Sequence, residues 1–279
     1  MIAIIKKGET IMIIQVTTPQ LELWQIEGTF SNQPHVHENE FQITIPLFGH
    51  CDFMLGNRPY SLGNGGGLVQ HPRERHYFEM GPQAGVLIFK VNQDSWKKLT
   101  GQENFEFDVR QKFDPGFMRE KFRKWTNTLL AYDGVDRLAQ EEVESQVLYY
   151  LRGTLIGNHK SVFDPAGKAH TLHSDRHLGK VLEYMHASFR NEIRVDDLAS
   201  MALQSRYHFI RSFKVAMGVT PYQYVLLLRI EEAKRLLKGT GDSVTQISFG
   251  LGFSSVSQFQ RAFFKGVGCT PKEFRNSGK

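Results

Sequence analysis

The chain has 279 residues, of which 41% are hydrophobic and 23% charged, a composition that fits two folded domains and excludes a disordered or fibrous chain. No apolar run approaches the roughly 18 residues of a membrane-spanning helix, and two cysteines, Cys51 and Cys269, make neither a disulfide framework nor a cysteine-rich zinc site. The net charge of +5 is uneven, because residues 1–170 carry 18 Lys and Arg against 20 Asp and Glu, whereas residues 171–279 carry 16 against 9. We expect a cytoplasmic protein without a membrane partner, whose basic C-terminal part binds an anionic partner such as nucleic acid.

Short strands are predicted from about Ile11 to Val91. The runs LELWQI, FQITIPLFG, CDFML, GLVQHP and GVLIFKV are rich in β-branched and aromatic residues, and Gly, Asn and Pro clusters such as GNRPY separate them. This rhythm is typical of an all-β sandwich or barrel, which we assign to residues 1–113.

Two amphipathic helices are predicted for residues 114–157, joined by the turn YDGVD. One side of the second helix either covers the chain's own β domain or pairs with the same helix of a second chain to form a homodimer; its apolar residues are Leu138, Val143, Val147, Leu148, Leu151 and Leu155. Residues 158–172 combine Gly, Pro and polar residues without a period and are predicted to be an interdomain linker. Residues 173–279 are predicted to be helical.

An internal repeat with an offset of 50 residues is the most informative feature of this last part. Ser205, Phe209, Arg211, Phe213, Gly218, Thr220 and Pro221 return as Ser255, Phe259, Arg261, Phe263, Gly268, Thr270 and Pro271. Each copy has a short helix, a tight turn and a second helix, with Ser205 and Ser254 as the expected N-caps, and this is the helix-turn-helix unit. Between the copies, residues 221–238 predict one helix ended by Gly239, with Tyr224, Leu227, Leu228 and Ala233 in its core.

The second helix of each copy carries the residues that we expect to meet DNA. Opposite its two phenylalanines, the first copy turns Arg206, Tyr207, Ile210 and Arg211 outward, and the second copy turns Val256, Ser257, Gln260 and Arg261 outward. Arg211 and Arg261 recur at the same place, as a contact to guanine or phosphate requires. The alternative is that each arginine pairs with a nearby acidic side chain.

These C-terminal motifs resemble the paired helix-turn-helix domain of AraC/XylS-type bacterial transcription regulators. The resemblance covers about Asp175 to Arg275, and the family pattern G-F-S-x-x-S-x-F-x-R-x-F-K is nearly complete in residues 252–265, where Phe264 delays the lysine by one place. It implies binding to promoter or operator DNA, followed either by recruitment of RNA polymerase, as by an activator, or by its occlusion. The implied DNA contacts are Ser205, Arg206, Tyr207, Ile210, Arg211, Lys214, Ser255, Val256, Ser257, Gln260, Arg261 and Lys265.

The family resemblance has two departures. Ile210 is apolar where a polar base-reading residue is common, which leaves either a contact with a thymine methyl group or no contact. Ser248 stands where alanine is usual, and we expect this to affect packing only.

The N-terminal part resembles the cupin barrel that such regulators often carry as a sensor domain. The resemblance rests on Gly28-x6-His35-x-His37 and on Pro72-x3-His76, so that three imidazoles would converge on one metal if His35 and His37 share a strand face. An enzyme-type cupin site adds a carboxylate, but Gln42 stands at the expected place. The sequence therefore favours a small-molecule pocket without a cofactor or metal, formed by Trp24, His35, His37, Phe41, Gln42 and His76.

Three hypotheses follow from these patterns. The leading one is a DNA-binding transcription regulator, not an enzyme, in which a small-molecule effector in the cupin-like barrel controls the double helix-turn-helix domain and residues 114–157 form a dimer. The second is a metal-dependent cupin enzyme fused to a DNA-binding module, with the metal held by His35, His37 and His76. The third is an architectural DNA-binding protein without an effector.

Overall fold

A computed structural model describes residues 2–7, 11–100, 107–130, 136–157 and 176–277. Contacts divide the chain into two compact units, the first with residues 1–127 and 146–164 and the second with residues 128–145 and 165–279. The helical segment 114–157 contributes to both units and does not form a third. The predicted linker 158–172 and the turn YDGVD up to Val135 lie outside the described residues.

The first unit is rich in β-strands, as predicted. Its strands are β1 (Ile2–Lys7), β2 (Ile11–Thr17), β3 (Leu21–Gly28), β4 (Phe30–Ser31), β5 (Glu40–Phe48), β6 (Cys51–Leu55), β7 (Arg58–Leu62), β8 (Gly66–Gln70), β9 (His76–Met80), β10 (Gly85–Asn92) and β11 (Arg110–Lys112). They form a seven-stranded antiparallel sheet in the order β1-β2-β3-β10-β5-β8-β11 and a four-stranded one in the order β4-β9-β6-β7.

Apolar side chains of the two sheets share one core. Ile26 and Ile88 of the larger sheet belong to the same buried cluster as Phe53 and Phe78 of the smaller one. The five predicted strands correspond to β3, β5, β6, β8 and β10. The interpretation of GNRPY as a turn is wrong for residues 58–60, which begin β7; a proline is tolerated there because β7 is an edge strand and its N–H groups need not all be paired.

Three helices follow the strands: α1 (Gln93–Thr100), α2 (Pro115–Leu130) and α3 (Arg137–Gly157). The sequence patterns did not predict α1. In the first unit, α2 packs on β10, since the ring centroid of Phe89 lies 6.2 Å from those of Phe122 and Trp125. Tyr150 of α3 packs on α2, with its ring 5.8 Å from that of Trp125.

The apolar residues predicted on one side of α3 are all buried within a single chain; they are Leu138, Val143, Val147, Leu148, Leu151 and Leu155. These side chains are therefore enclosed within the chain, and at Leu138 the enclosing core is that of the second unit and not that of the β domain. The homodimer through residues 114–157 stays a prediction.

The second unit is helical, with α4 (Arg176–Ser188), α5 (Val195–Met201), α6 (Arg206–Met217), α7 (Pro221–Gly239), α8 (Val244–Gly250), α9 (Val256–Val267) and α10 (Pro271–Asn276). The pairs α5–α6 and α8–α9 are the two predicted helix-turn-helix copies. Phe209, Phe213, Phe259 and Phe263 are fully buried, as expected of the repeated core positions.

Three of the seven repeated pairs are helix caps. Ser205 and Ser255 are the N-caps of α6 and α9, and their hydroxyls accept from backbone N–H groups. Gly218 and Gly268 end these helices with positive φ angles of 75° and 85°, where a side chain would be strained. Thr220 and Thr270 then form capping boxes, followed by Pro221 and Pro271 at the first turn.

Three details of the predicted helices are wrong. The N-cap of α9 is Ser255, because Ser254 instead bonds through its hydroxyl and backbone N–H to the amide oxygen of Gln258. Helix α7 includes Gly239 and has Thr240 as its C-cap. Leu227 is 50% exposed and not part of the core.

None of the described helices has the combination of length and apolar sequence that crossing a membrane requires.

Ser248 lies fully buried in α8, and its hydroxyl has no hydrogen-bond partner among the described residues. A buried polar group without a partner costs about 1–3 kcal/mol, so Ser248→Ala is expected to raise the free energy of unfolding by about 1 kcal/mol. The matched control on the same helix is Ser243→Ala, which removes the capping box of α8 and is expected to lower that energy by about 1 kcal/mol. Urea denaturation measures both; a destabilised Ser248→Ala protein would contradict the prediction.

Candidate nucleic-acid interface and histidine cluster

Helix α9 presents a polar face to solvent. Ser257, Gln260, Arg261 and Lys265 are exposed, while the opposite side is fully buried at Phe259 and Phe263. Val256 is half-buried at the edge of this face. These are the outward residues expected from the sequence.

Helix α6 differs from this pattern at its first turns. The Arg206 guanidinium donates two hydrogen bonds to the carboxylate of Asp196 on α5, and these bonds lower the pKa of Asp196 below its ordinary value. Arg206 thus pairs with an acidic side chain of the neighbouring helix. Ile210 is only 4% exposed, so its assignment to an outward stripe is wrong, and of its two alternatives the one without a thymine contact agrees with this burial.

Other residues of α6 differ in how far they reach the surface. Lys214 is exposed, and Tyr207 and Arg211 are half-buried. His208 is also exposed, although the sequence analysis did not select it. The repeat could not have indicated it, because its counterpart at the offset of 50 is Gln258, which is fully buried.

The repeated arginines, Arg211 and Arg261, differ in kind from the other repeated residues. Serine, glycine, threonine and proline serve as caps, and the phenylalanines fill the core. Arg261 is exposed and Arg211 half-buried, and neither is a cap or a core residue. Capping and core packing, which account for the other six pairs, therefore do not account for the recurrence of the arginines.

The beginning of α3 belongs to the second unit and binds the first helix-turn-helix copy through carboxylates. Glu141 accepts a 2.7 Å hydrogen bond from the backbone N–H of Val195, at the first residue of α5. Glu142 accepts one of the same length from the N–H of Tyr222, in the first turn of α7. A carboxylate at a helix N-terminus satisfies an unpaired N–H and interacts favourably with the helix dipole. The sequence analysis missed these contacts.

Three imidazoles in the first unit form what we call the histidine cluster, made of His35, His37 and His76. Their ring centroids lie 4.4–5.1 Å apart. His35 and His37 are not on one strand face, as the sequence suggested; they lie in the segment between β4 and β5, where His35 forms an isolated bridge with His76 at the start of β9. Burial lowers the pKa of His37 and of His76 to about 4, so both rings are neutral at pH 7.

The structure brings together four of the six predicted pocket residues. The amide oxygen of Gln42 lies 3.2 Å from Nε2 of His37, and the Gln42 amide nitrogen donates to Thr44. Phe41 lies elsewhere, because its ring packs 5.1 Å from that of Trp96 in a buried aromatic group. The indole N–H of Trp24 donates a hydrogen bond to the Glu22 carboxylate. The Lys90 ammonium lies over the Trp24 ring, 5.3 Å from its centroid.

A cleft of about 790 Å³ adjoins the segments that hold these histidines. Its lining includes Glu38 and Asn39, which directly follow His37, and residues 71–74, which precede His76. None of the six predicted pocket residues lines it. The effector pocket drawn from the sequence therefore remains a prediction.

Comparison with known proteins adds two family matches. Residues 198–277 match a model described as a helix-turn-helix domain, and residues 25–105 match one described as an AraC-like ligand binding domain. Over 94% of its length the chain is 25% identical to the probable transcriptional regulator LumQ of Photobacterium leiognathi, of which it covers 98%. It is 30% identical to the HTH-type transcriptional regulator MtrA of Neisseria gonorrhoeae, but over 37% of this chain and 35% of MtrA.

Among solved structures, a regulator with an AraC-type DNA-binding domain from Chromobacterium violaceum is 33% identical over 36% of this chain and 90% of that one, with a TM-score of 0.34.

Proposed function

Because the chain is a DNA-binding transcription regulator of the AraC type, with an N-terminal ligand-binding domain and a C-terminal helix-turn-helix domain, we propose that it recognises operator DNA within promoters through α6 and α9. It acts there as an activator that contacts RNA polymerase. The observation that carries the proposal is the duplicated helix-turn-helix pair, whose repeated arginines stand outside the caps and the core. In this class of domain, the second helix of each helix-turn-helix copy is the element that enters a major groove.

The two copies contribute unequally to sequence recognition in this proposal. The exposed face of α9, with Ser257, Gln260 and Arg261, carries the base contacts. In α6, Arg206 positions the helix through Asp196, and Tyr207, Arg211 and Lys214 contact DNA. Helix α7 has 19 residues and so spans about 28 Å, which suits two recognition helices in successive major grooves about 34 Å apart.

The testing experiment first selects fragments of the source genome that the full chain binds, and then measures affinity for the strongest site. Arg261→Ala is expected to weaken binding by about 1–3 kcal/mol, or roughly tenfold to a hundredfold in Kd. The matched control is Arg235→Ala, which removes the same charge from an exposed residue that pairs with Glu232 on α7. A contact to phosphate lowers the salt slope by about 1, whereas a contact to guanine changes base preference at one position. Equal affinities for wild type and Arg261→Ala across a salt series would contradict the proposed contact between α9 and DNA.

The proposed function also includes an effector, a second copy of the chain and a cellular location. We propose that a small-molecule effector binds the first unit next to the histidine cluster, and that the protein works in the cytoplasm as a regulator and not as an enzyme. We also propose a homodimer through residues 114–157. Since the apolar side of α3 is enclosed, the dimer would use outer residues such as Phe117, which is 44% exposed.

A further inference from the structure

Phe264 is an exposed aromatic residue on helix α9. It is 55% exposed, whereas its neighbour Phe263 is fully buried. The ring of Phe263 lies 5.6 Å from that of Phe259 and 5.5 Å from that of Phe274. These three rings belong to the core beneath α9, and Phe264 does not. An aromatic ring left in water forgoes the free energy that its burial would provide, so packing within this unit does not explain a phenylalanine at this position.

Helical spacing places Phe264 on the polar face of α9. Ser257, Gln260 and Arg261 precede it by seven, four and three residues. Because an α-helix has about 3.6 residues per turn, these spacings bring all four side chains to one face. All four are exposed. Phe264 therefore lies near the midline of the face that we assign to base contacts, about 10 Å along the helix from Ser257.

The internal repeat shows what the first copy has at this position. At the offset of 50 the counterpart of Phe264 is Lys214, an exposed cation of α6. The next position is exchanged as well, since Val215 in the first copy corresponds to Lys265 in the second. A lysine binds phosphate and carries little sequence information, whereas an apolar ring gains nothing from a phosphate. The face of α9 thus has an apolar group where that of α6 has a phosphate-binding one.

We propose that Phe264 contacts the C5-methyl group of a thymine in the major groove, an inference that rests on the proposed DNA recognition through α9. DNA is the partner that fits the surroundings of the ring, because Gln260, Arg261 and Lys265 are exposed beside it and the sequence of α9 contains no acidic residue. The thymine methyl is the apolar group that a base pair presents in the major groove. At about 3.4 Å per base pair, this thymine lies about three base pairs from the base that Ser257 meets.

The test measures binding of the full chain to the genomic fragment that it selects, with each thymine replaced in turn by uracil, which lacks only the methyl group. Losing one buried methyl group is expected to weaken wild-type binding by about threefold to fivefold at one thymine. Phe264→Ala is expected to weaken binding to the unmodified fragment by about fivefold to tenfold. It should also bind the thymine and uracil fragments equally at that position. Phe264→Leu, which keeps an apolar side chain, should retain part of the discrimination.

Phe249→Ala is the matched control, because Phe249 is also 55% exposed but lies on α8, the first helix of this copy. This variant should keep the wild-type ratio of thymine to uracil affinity at every position. Phe264→Lys introduces the residue of the first copy, and it should lose the thymine preference while raising the salt slope by about 1. Circular dichroism checks that each variant folds, as expected for changes at exposed residues.

Equal thymine-to-uracil ratios in wild type and Phe264→Ala at every thymine would overturn the inference, and so would a wild type that is insensitive to all the replacements. A Phe264→Ala protein that binds the fragment normally but no longer supports transcription by purified RNA polymerase would assign the ring to the polymerase instead. If Arg261→Ala weakens binding and Phe264→Ala does not, DNA recognition by α9 stands and only the thymine contact fails. Failure of the full chain to select any fragment would overturn the proposed function itself.

Discussion

Replacing Arg229 with methionine is expected to destabilise the second unit by about 3–5 kcal/mol, because it leaves a buried carboxylate without its partner. The Arg229 side chain is 4% exposed and lies 3.1 Å from the carboxylate of Asp136, which is itself largely buried. Its other N–H groups donate to the backbone carbonyls of Phe189 and Asn191. Its guanidinium also stacks 5.5 Å from the ring of Phe253. One side chain therefore joins the beginning of α3, the turn after α4, helix α7 and the second helix-turn-helix copy.

Urea denaturation at pH 7 measures this effect, and α7 offers a matched control. Arg235→Met removes an exposed arginine that pairs with Glu232 at the surface, and such pairs are worth about 0–1 kcal/mol. The double variant Asp136→Asn with Arg229→Met is expected to recover part of the loss, because it removes the unpaired charge and keeps an amide that can cap α3. Similar stabilities for Arg229→Met and Arg235→Met would show that the buried pair contributes little.

Sequence patterns predicted the architecture well wherever one residue type has one structural role. The repeat with an offset of 50 located both helix-turn-helix copies, because its serines, glycines, threonines and prolines are caps with narrow backbone requirements. The N-cap prediction of Ser254 departed from this repeat, which pairs Ser205 with Ser255, because two adjacent serines meet the same capping preference. Strands were found from their apolar runs, but β7 was missed because its proline and exposed residues resemble a turn.

Charged residues in buried places could not be predicted from amphipathic spacing. In α3 the pattern put Leu138 and Val143 inside and left acidic residues for solvent, yet Glu141, Glu142 and Glu144 are buried too. Residues 138–145 are all buried, and two of their carboxylates, those of Glu141 and Glu142, accept hydrogen bonds at the N-termini of other helices. Arg229 did carry a signal, since it falls on the buried stripe of Val225, Ala233 and Leu237 at helical spacing.

The sequence pattern identified the three histidines that come together, but the reason given for their meeting, a shared strand face, was incorrect. His35 and His37 were paired because alternate residues on a strand share a face, but they lie in a connecting segment and meet His76 through a bridge between backbones. Sequence spacing within one element cannot predict such a meeting, which depends on how the two sheets are joined. The same limit explains why Phe41, next to Gln42, was assigned to the pocket although alternation along β5 turns it into another part of the core.

Replacing Glu142 with glutamine is expected to stabilise the protein above pH 7 and to flatten its stability profile between about pH 4.5 and 7. Burial raises the pKa of Glu142 to about 7, although the hydrogen bonds from the Tyr222 N–H and the Thr220 hydroxyl lower it. Asp136 raises this pKa further, and Lys214 lowers it. The folded state therefore holds this proton more tightly than the unfolded chain does.

The sign of the pH effect follows from this raised pKa. Below about pH 4.5 the carboxyl is protonated in both states. Between about pH 4.5 and 7 it ionises in the unfolded chain while the folded protein still holds the proton, so the wild type loses stability over this range, and above about pH 7 the loss is complete. A tenfold change in proton affinity is worth about 1.4 kcal/mol, so the rise from 4.5 to about 7 corresponds to about 3 kcal/mol at pH 8.

Glu142→Gln removes this loss because its amide oxygen still accepts from Tyr222 without carrying a charge. Urea denaturation from pH 5 to 8 measures the profile, and Glu231→Gln on the exposed side of α7 is the control, expected to keep the wild-type slope. If Glu142→Gln and wild type lost stability in parallel across this range, the buried carboxylate would not be the source of the pH dependence. Since Glu142 binds the first turn of α7 and lies near Lys214 of α6, its protonation state bears directly on the first helix-turn-helix copy.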